Sequence, residues 1–261
     1  MTDLVLFSLL LAFIPFFMLW LLSIKLKDAS IVDIYWGPSF GVTALITLGV
    51  TLANGIALSP LSWLAVGLTV LWGGRLGIYL WIRNVGHGED WRYQNMRANR
   101  PGKFVGWSLY GVFGLQWGVM AIVSLPVVVT IISGGNINLL AGLGIVVFAI
   151  GFLFEAIGDY QLTAFKNDPA NSGKVMNRGL WAWTRHPNYF GNAALWWGLG
   201  LIAVSAGHWW TLVGPAVMTY FLVNISGKAM LERKLTKTRE GYEDYLTQTS
   251  GFFPLPPKKT S

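Results

Sequence analysis

The sequence of 261 residues contains no cysteine, and only 12% of its residues are charged. The missing thiols exclude disulfides, thiolate catalysis and thiolate metal sites. The three histidines, His87, His186 and His208, are far apart in the chain. No His-Glu-x-x-His motif, phosphate loop or G-x-G-x-x-G motif is present. We therefore expect no metal site and no nucleotide fold of the soluble-enzyme type.

Hydrophobic residues, in contrast, make up 54% of the chain, which also contains 14 tryptophans. This composition exceeds that of ordinary soluble domains. Three stretches, 34–74, 104–154 and 186–227, contain no Asp, Glu, Lys or Arg. Each is about twice the length of about 20 residues that crosses a bilayer. Each also has a turn-forming sequence near its middle, so each predicts a helical hairpin.

The apolar stretch 4–24 adds one more helix, because it lacks the basic flank and the cleavage site of a signal peptide. The sequence therefore predicts an all-α integral membrane bundle of about seven transmembrane helices. Their predicted bounds are 4–24, 33–53, 61–83, 105–132, 139–165, 188–205 and 209–228. No linker or long repeat divides the chain, so we expect a single transmembrane domain over residues 1–261.

The positive charges predict an orientation. All but Arg75 of the 19 Lys and Arg residues lie in the loops and tail on one side of the predicted spans. The positive-inside rule then places the amino terminus outside and the carboxyl terminus in the cytoplasm. Because these basic residues are scattered and do not form a stripe with stacking aromatics, we expect no nucleic-acid partner.

Ionisable residues inside membrane helices usually serve a function. In the fifth span, Glu155, Asp159, Leu162 and Lys166 share one helix face, with the lysine at the end of the span. One interpretation is an intrahelical charge ladder. The other is a face that points into a cavity and binds a polar ligand.

A second polar group, residues 185–189, precedes and opens the sixth span. Pro187 suits the first turn of a helix, so this helix is predicted to begin at or next to it. A helix amino terminus attracts anions, and Asn188 and Asn192 continue one face into the helix. The alternative is that Trp181, Trp183 and Arg185 anchor the chain at the lipid headgroups.

Further polar residues lie in the first half of the chain. The segment 83–97 is rich in charge and is either a solvated connector or a third functional group. Asp33 and Tyr35 stand at the start of the second span and either cap it or line a cavity. Arg75 and Tyr79 lie four residues apart in the third span, where a buried arginine needs a partner such as Asp33 or Glu155.

The stretches "GLWAWTRHPNYFGNAALWWGLGL", "GDYQLTAFK" and "GYEDYLTQTSGFFPLP" resemble the carboxyl-terminal half of the steroid 5α-reductase superfamily. The resemblance is to its bacterial members of unassigned substrate, and it extends upstream to "VDIYWGPSF" and "LWGGRLGIYLWIRNVGHGEDWRYQNMR". The R-H-P-N-Y-x-G core is also similar to that of the sterol C14 and Δ7 reductases. More loosely, it is similar to isoprenylcysteine and phospholipid methyltransferases, which use S-adenosylmethionine.

The resemblance implies a seven-helix bundle with NADPH bound in a cytoplasm-facing cavity. It also implies a location in a bacterial inner membrane. Residues of about 1–135 would form the substrate side, and those of about 139–261 the cofactor-binding half. Position by position, it implies cofactor contacts for Glu155, Asp159, Lys166, Asn188, Asn192, Asp244 and Tyr245. Arg185, His186 and Tyr189, at the start of the sixth span, complete the predicted cofactor site, and Arg185, His186 and Lys166 are expected to meet the phosphates. Glu155 stands where the steroid reductases have an asparagine, and Asn192 replaces a Glu or Asp.

Two departures from the family concern the substrate. Tyr35 and Trp36 occupy roughly the positions of the Gln-Glu pair that polarises the steroid ketone, and Trp72 that of the catalytic tyrosine. The chain therefore lacks the steroid-specific pair, and a different hydrophobic substrate is expected.

The sequence thus predicts an NADPH-dependent reductase of an electron-poor C=C bond in a steroid-like or isoprenoid lipid. Asp33 in a protonated form, Tyr35 and Tyr79 are the candidate hydrogen-bond donors to the substrate carbonyl. One alternative is a membrane methyltransferase using S-adenosylmethionine, although a single Glu232 followed by Arg233 and Lys234 favours a phosphate-bearing cofactor. The other is a non-enzymatic lipid-binding protein. Gly73 and Gly77 allow close helix packing within or between chains, so the oligomeric state stays open.

Overall fold

The computed structural model describes residues 1–225, 232 and 235–258, and every regular element in this part of the chain is helical. The α-helices are α1 (Thr2–Leu11), α2 (Phe13–Leu26), α3 (Ile31–Ala53), α4 (Pro60–Asn84), α5 (Trp91–Ala98), α6 (Phe104–Ser108), α7 (Leu115–Val123), α8 (Leu125–Ser133), α9 (Leu139–Asn167), α10 (Leu180–Trp183), α11 (Pro187–Ser205), α12 (Val213–Tyr220) and α13 (Tyr242–Gln248). Two π-helical segments, Leu109–Gly114 and Phe221–Ile225, continue α6 and α12, and short 3₁₀ turns cover Pro169–Asn171 and Trp209–Leu212.

Among the described residues, five helical stretches are long and apolar enough to cross a membrane: Thr2–Leu26, Ile31–Ala53, Pro60–Asn84, Phe104–Val123 and Leu139–Asn167. The prediction of a helical membrane bundle is therefore confirmed, and the chain is an integral, multi-pass membrane protein. The last two predicted spans correspond to α11, which has 19 residues, and to the shorter apolar stretch Trp209–Ile225. Neither is among the five, so the count of seven and the orientation of the termini stay predictions.

The fourth predicted span, 105–132, differs from its prediction because the helix is interrupted. After the π-helical segment and α7, the chain turns at Ser124 and begins α8 with Pro126 in its first turn. Proline has no N–H, and its ring clashes with the carbonyl four residues earlier. The backbone nitrogens of Val127 and Val128 instead bond the Ser124 carbonyl, and this restarts the helix.

The chain forms two compact units. The first unit comprises Met1–Asn138 with Ile202–Thr211, and the second comprises Leu139–Leu201 with Leu212–Ser261. The expectation of a single transmembrane domain stays a prediction.

In the first unit, α3 and α4 pack backbone against backbone. A methyl group added to Gly73 would lie 2.5 Å from the Gly37 carbonyl oxygen, and one on Gly77 would overlap the ring of Pro38. Both glycines are therefore used for packing inside the chain, which accounts for this pair without a second copy.

In the second unit, α9 and α11 form an equally close seam. A methyl group on Gly191 would overlap the backbone nitrogen of Glu155, and one on Gly151 that of Leu195. One on Gly198 would lie 2.5 Å from the backbone nitrogen of Phe148. As residue numbers rise along α11 they fall along α9, so the two helices are antiparallel.

The close packing of α9 against α11 predicts that two glycine substitutions change the stability of the protein very differently. We expect Gly191→Ala to lower the stability of the protein by about 1–3 kcal/mol, because the two backbones must separate. Gly142→Ala in α9 is the matched control, since no atom lies within 4 Å of an added methyl group there. In an open helical position this change is expected to be stabilising by about 0.5–1 kcal/mol. Thermal unfolding in detergent measures both, and equal midpoints for the two variants would contradict the packing.

Candidate cofactor and substrate sites

Two carboxylates of α9 meet two amides of α11 across the glycine seam. Asn188 Nδ2 donates to Asp159 Oδ1 at 3.1 Å, and Asn192 Nδ2 donates to Glu155 Oε2 at 3.4 Å. The two acids lie one turn apart on α9, and the two amides lie one turn apart on α11. The antiparallel helices are therefore linked by two acid–amide pairs, each of which we call a rung. Because these bonds run between helices, an intrahelical ladder alone does not account for the acids. We call these four residues the acid–amide seam.

Three of the four residues of the acid–amide seam are buried, and Asn188 is half-buried. Glu155 and Asp159 are each 3% exposed, and Asn192 is 7% exposed. The Asn192 Oδ1 atom is also buried, yet it makes no hydrogen bond to any residue within the described ranges. Buried polar atoms nearly always have a hydrogen-bond partner. Asn192 therefore presents an acceptor that a ligand N–H could satisfy.

The segment before α11 carries Arg185 and His186, and α11 begins at Pro187 as predicted. The Nε atom of Arg185 lies 2.8 Å from Glu232 Oε1, and His186 Nε2 lies 3.1 Å from the same oxygen. Burial by itself would raise the pKa of Glu232, but the hydrogen bonds from His186 and Arg185 outweigh it and lower this pKa. Glu232 is thus held as a carboxylate by two donors.

Arg185 also fastens the carboxyl-terminal segment. Its Nη1 atom donates to the carbonyl of Leu246 at 2.9 Å and to that of Thr249 at 2.6 Å, and its backbone nitrogen donates to the Ser250 carbonyl. The neighbouring Thr184 hydroxyl donates to the Phe252 carbonyl at 2.8 Å. These bonds give Arg185 a structural role, and its predicted contact with a cofactor phosphate stays a prediction.

The other predicted cofactor residues are placed as follows. The ring of Tyr189 stacks on that of His186, with centroids 5.3 Å apart. The hydroxyl of Tyr245 donates to the carbonyl of Trp181, which ties α13 to α10. Lys166, near the end of α9, and Asp244, in the first turn of α13, are exposed. Tyr245 therefore positions the terminal segment through its hydroxyl, while Lys166 is accessible to a ligand.

In the first unit, Asp33 is bonded by residues of α5. Arg92 Nη2 lies 2.6 Å from Asp33 Oδ2, and the Tyr93 hydroxyl donates to Oδ1 at 2.7 Å. Asp33 thus accepts from two side chains of α5, and its predicted role as a protonated donor stays a prediction. Asp33 pairs with Arg92, and the predicted partner of Arg75 stays a prediction.

The segment 83–97 is more than a solvated connector, because several of its side chains are bonded to the start of α3 and to one another. Glu89 accepts from the backbone nitrogen of Ala29 at 2.8 Å and from Arg97 at 2.7 Å. Burial raises the pKa of the Tyr93 hydroxyl well above its usual value, and the negative charge of Asp33 raises it further. The segment folds back onto the start of α3 and holds Asp33 in place.

The other two candidate donors have different neighbours. Tyr35 is half-buried, and its ring meets that of Phe16 edge-on at 5.2 Å. Its hydroxyl makes no hydrogen bond to a described residue of the chain. The guanidinium groups of Arg75 and Arg83 lie over the ring of Tyr79, 5.3 Å and 5.4 Å from its centroid. Asp33, Tyr35 and Tyr79 thus face three different sets of neighbours.

The sequence reasoning missed Gln116 and Tyr93. Gln116 Nε2 lies 3.4 Å from Asp33 Oδ1 and 3.3 Å from the Tyr93 hydroxyl. Gln116 carries the one side-chain amide in the predicted span 105–132. An amide inside a membrane helix is a recognisable signal, whereas nothing in the sequence indicated that α5 returns to α3.

These features define an integral helical membrane protein with a buried polar seam on one unit and a charged cluster at the start of α3 on the other. The chain belongs to the family described as "Protein of unknown function (DUF1295)", whose profile matches residues 19–249.

Two curated proteins are similar to parts of the chain. It is 32% identical over 87 residues to the probable O-methyltransferase ustE of Ustilaginoidea virens. These residues cover 33% of this chain and 29% of that protein. It is 28% identical over 114 residues to the steroid 5-alpha-reductase DET2 of Solanum lycopersicum. These residues cover 44% of this chain and 41% of that protein. The chain thus spans less than half the length of either relative. No solved structure matches it. The findings support a steroid 5-alpha-reductase-like superfamily.

The Glu232 contacts predict a pH-dependent stability. We expect Glu232→Gln to destabilise the protein by about 1–3 kcal/mol at neutral pH, because a charge-assisted hydrogen bond is lost. A carboxyl whose pKa is lowered on folding contributes stability above its unfolded pKa of about 4.3. That contribution disappears as the pH falls through the lower folded value. The difference between the wild type and the variant should therefore shrink below about pH 4.

Thermal unfolding across pH measures this difference. Glu243→Gln is the matched control, because Glu243 is an exposed carboxylate of the same terminal region. If the difference in stability between Glu232→Gln and the wild type widened on acidification, the assignment of Glu232 as a carboxylate with a lowered pKa would be contradicted.

Proposed function

We propose that the protein is a membrane-embedded, NADPH-dependent reductase of an electron-poor C=C bond in a hydrophobic, steroid-like or isoprenoid lipid. The observation that carries this proposal is the unbonded, buried Asn192 Oδ1 within the acid–amide seam. The local similarity to a steroid 5-alpha-reductase supports the same reaction class. By the likeness of the sequence to bacterial members of the superfamily, we place the protein in a bacterial inner membrane.

The residues of the second unit fit a nicotinamide cofactor. Bound NADPH would supply the hydride. Asn192 Oδ1 would accept an N–H of the nicotinamide carboxamide, while Glu155 fixes the other end of the Asn192 amide. Asp159 orients Asn188 in the same way. Lys166, which is exposed near the end of α9, would meet a phosphate.

Reduction of an enone also needs a donor to its carbonyl and the exclusion of water. Among the three candidates, Asp33 accepts hydrogen bonds from Arg92 and Tyr93, and two guanidinium groups lie over the ring of Tyr79. Tyr35 keeps a hydroxyl that no described residue bonds. We therefore assign Tyr35 as the residue that donates a hydrogen bond to the carbonyl of the substrate. The missing steroid-specific pair favours an enone other than a steroid.

A methyltransferase that uses S-adenosylmethionine is the second candidate. It is favoured by the 32% identity to a probable O-methyltransferase. In that function Arg185 and His186 would bind the methionine carboxylate in place of Glu232. Arg233 and Lys234, whose charges favour a phosphate-bearing cofactor, lie outside the described residues. A lipid-binding protein without a cofactor is the third possibility.

Cofactor binding distinguishes the three functions. We expect NADPH to raise the melting temperature of the detergent-solubilised protein, because a ligand at 100 times its dissociation constant stabilises by about 2.7 kcal/mol. We expect S-adenosylmethionine to leave the melting temperature unchanged. A shift with S-adenosylmethionine alone would favour the methyltransferase. No shift with either ligand would favour the lipid-binding protein.

Lys166→Met should weaken NADPH binding about 10- to 100-fold, since it removes a charge-assisted hydrogen bond to phosphate. Lys174→Met is the matched control, because Lys174 is an exposed lysine of the following loop. Titration monitored by melting temperature gives both affinities. Equal affinities for the two variants would remove Lys166 from the site.

The donor role of Tyr35 is tested by turnover. Tyr35→Phe should lower the rate about 100- to 1,000-fold, the usual cost of removing a donor to a developing oxyanion. The control is Tyr110→Phe, because Tyr110 is 67% exposed. The loss of NADPH absorbance with a panel of lipophilic enones provides the rate. An unchanged rate for Tyr35→Phe would contradict the assignment.

A further inference from the structure

A group of basic side chains on the first unit carries an inference that does not depend on the proposed reaction. Lys25 and Lys27 lie at the end of α2, while Arg100 and Lys103 lie in the loop between α5 and α6. We call these four residues the basic patch. The remaining cation of this region, Arg97, is paired with Glu89.

The chain brings the two halves of the basic patch to one surface. Arg97 Nη2 lies 3.4 Å from the Lys27 carbonyl. Trp20 Nε1 donates to the Val105 carbonyl at 3.1 Å and to the Ser108 hydroxyl at 3.2 Å. The end of α2 and the start of α6 are therefore adjacent, and both lie at the ends of candidate membrane spans.

The positive charge of the basic patch is not neutralised by the described part of the chain. The nearby Asp28 accepts from the backbone and hydroxyl of Ser30, and Glu89 is paired with Arg97. Within residues 1–225, 232 and 235–258, no carboxylate pairs with a side chain of the patch. Lys25, Lys27 and Lys103 are exposed.

The side chain of Arg100 is held by two contacts within the first unit. Its guanidinium group lies over the ring of Trp107, 3.8 Å from the centroid, and Nη1 lies 3.4 Å from the Met96 carbonyl. Stacking uses the face of the guanidinium and leaves its in-plane N–H groups able to bind two oxygens of a phosphate. Tryptophan side chains such as that of Trp107 are enriched at the headgroup level of a bilayer.

We propose that the basic patch binds the phosphate of an anionic phospholipid headgroup. Four cations at the ends of two membrane spans complement a lipid with net negative charge better than a zwitterionic one. The exposed apolar side chains of Leu26, Val105 and Tyr110 border the patch in sequence and offer contacts to the acyl chains. Arg100 binds the phosphate bidentately, and the lysines add charge attraction.

The proposal is tested on the full-length protein in nanodiscs of phosphatidylcholine with and without phosphatidylglycerol. Native mass spectrometry then counts the phosphatidylglycerol molecules retained across a titration. We expect R100Q/K103Q to bind phosphatidylglycerol about 30-fold more weakly, since each juxtamembrane cation contributes about fivefold. The matched control is K174Q/R178Q, which removes the same charge from an exposed loop of the second unit.

Trp107→Leu removes the stacking partner without changing the charge and should weaken binding about threefold, whereas Trp107→Phe should retain most of it. Melting temperatures identify any variant that fails to fold. If Trp107→Leu fails to fold, the two double variants still test the proposal. Equal losses in both double variants would show diffuse surface charge and overturn the proposal. Undiminished binding by R100Q/K103Q would overturn it as well, as would inorganic phosphate displacing the lipid at equal concentration.

Discussion

The contact of α9 with α11, backbone against backbone, is the constraint on which the candidate cofactor site depends. Glycines at 151, 191 and 198 remove the side chains that would otherwise separate the helices. Only at this distance can short asparagine side chains reach carboxylates on the opposite helix. The same contact excludes water from the acids. Packing and polar chemistry in the second unit therefore have one origin, the placement of glycine along two antiparallel helices.

Burying two carboxylates in an apolar span costs free energy unless hydrogen bonds compensate for the lost water. The amides of Asn188 and Asn192 provide part of this compensation. Within the seam, Glu155 and Asn192 are the two residues that differ from the steroid reductases the sequence resembles, and they are in contact with each other.

The sequence predicted most of the fold, because long uncharged runs and turn residues mark helices that the bilayer requires. The bounds of α3, α4, α9 and α11 lie within about two residues of their predicted values, as expected where periodicity and caps agree. The facing of Asn188 and Asn192 was also predictable, since a spacing of four residues defines one helix face. The return of α5 onto Asp33 was not, because tertiary contacts between loop and helix leave no periodic signal. For the same reason, the Glu232 contact with Arg185 and His186 could not be read from the sequence.

The most direct measurement of the central claim compares NADPH with its 3-acetylpyridine analogue, in which a methyl group replaces the carboxamide NH₂. Dissociation constants for both are measured on the wild type and on Asn192→Ala. The wild type should prefer NADPH by about 2- to 10-fold, the usual worth of one hydrogen bond, and the variant should lose this preference. An equal preference in both proteins would show that Asn192 does not bind the nicotinamide, and the buried seam would then be structural only.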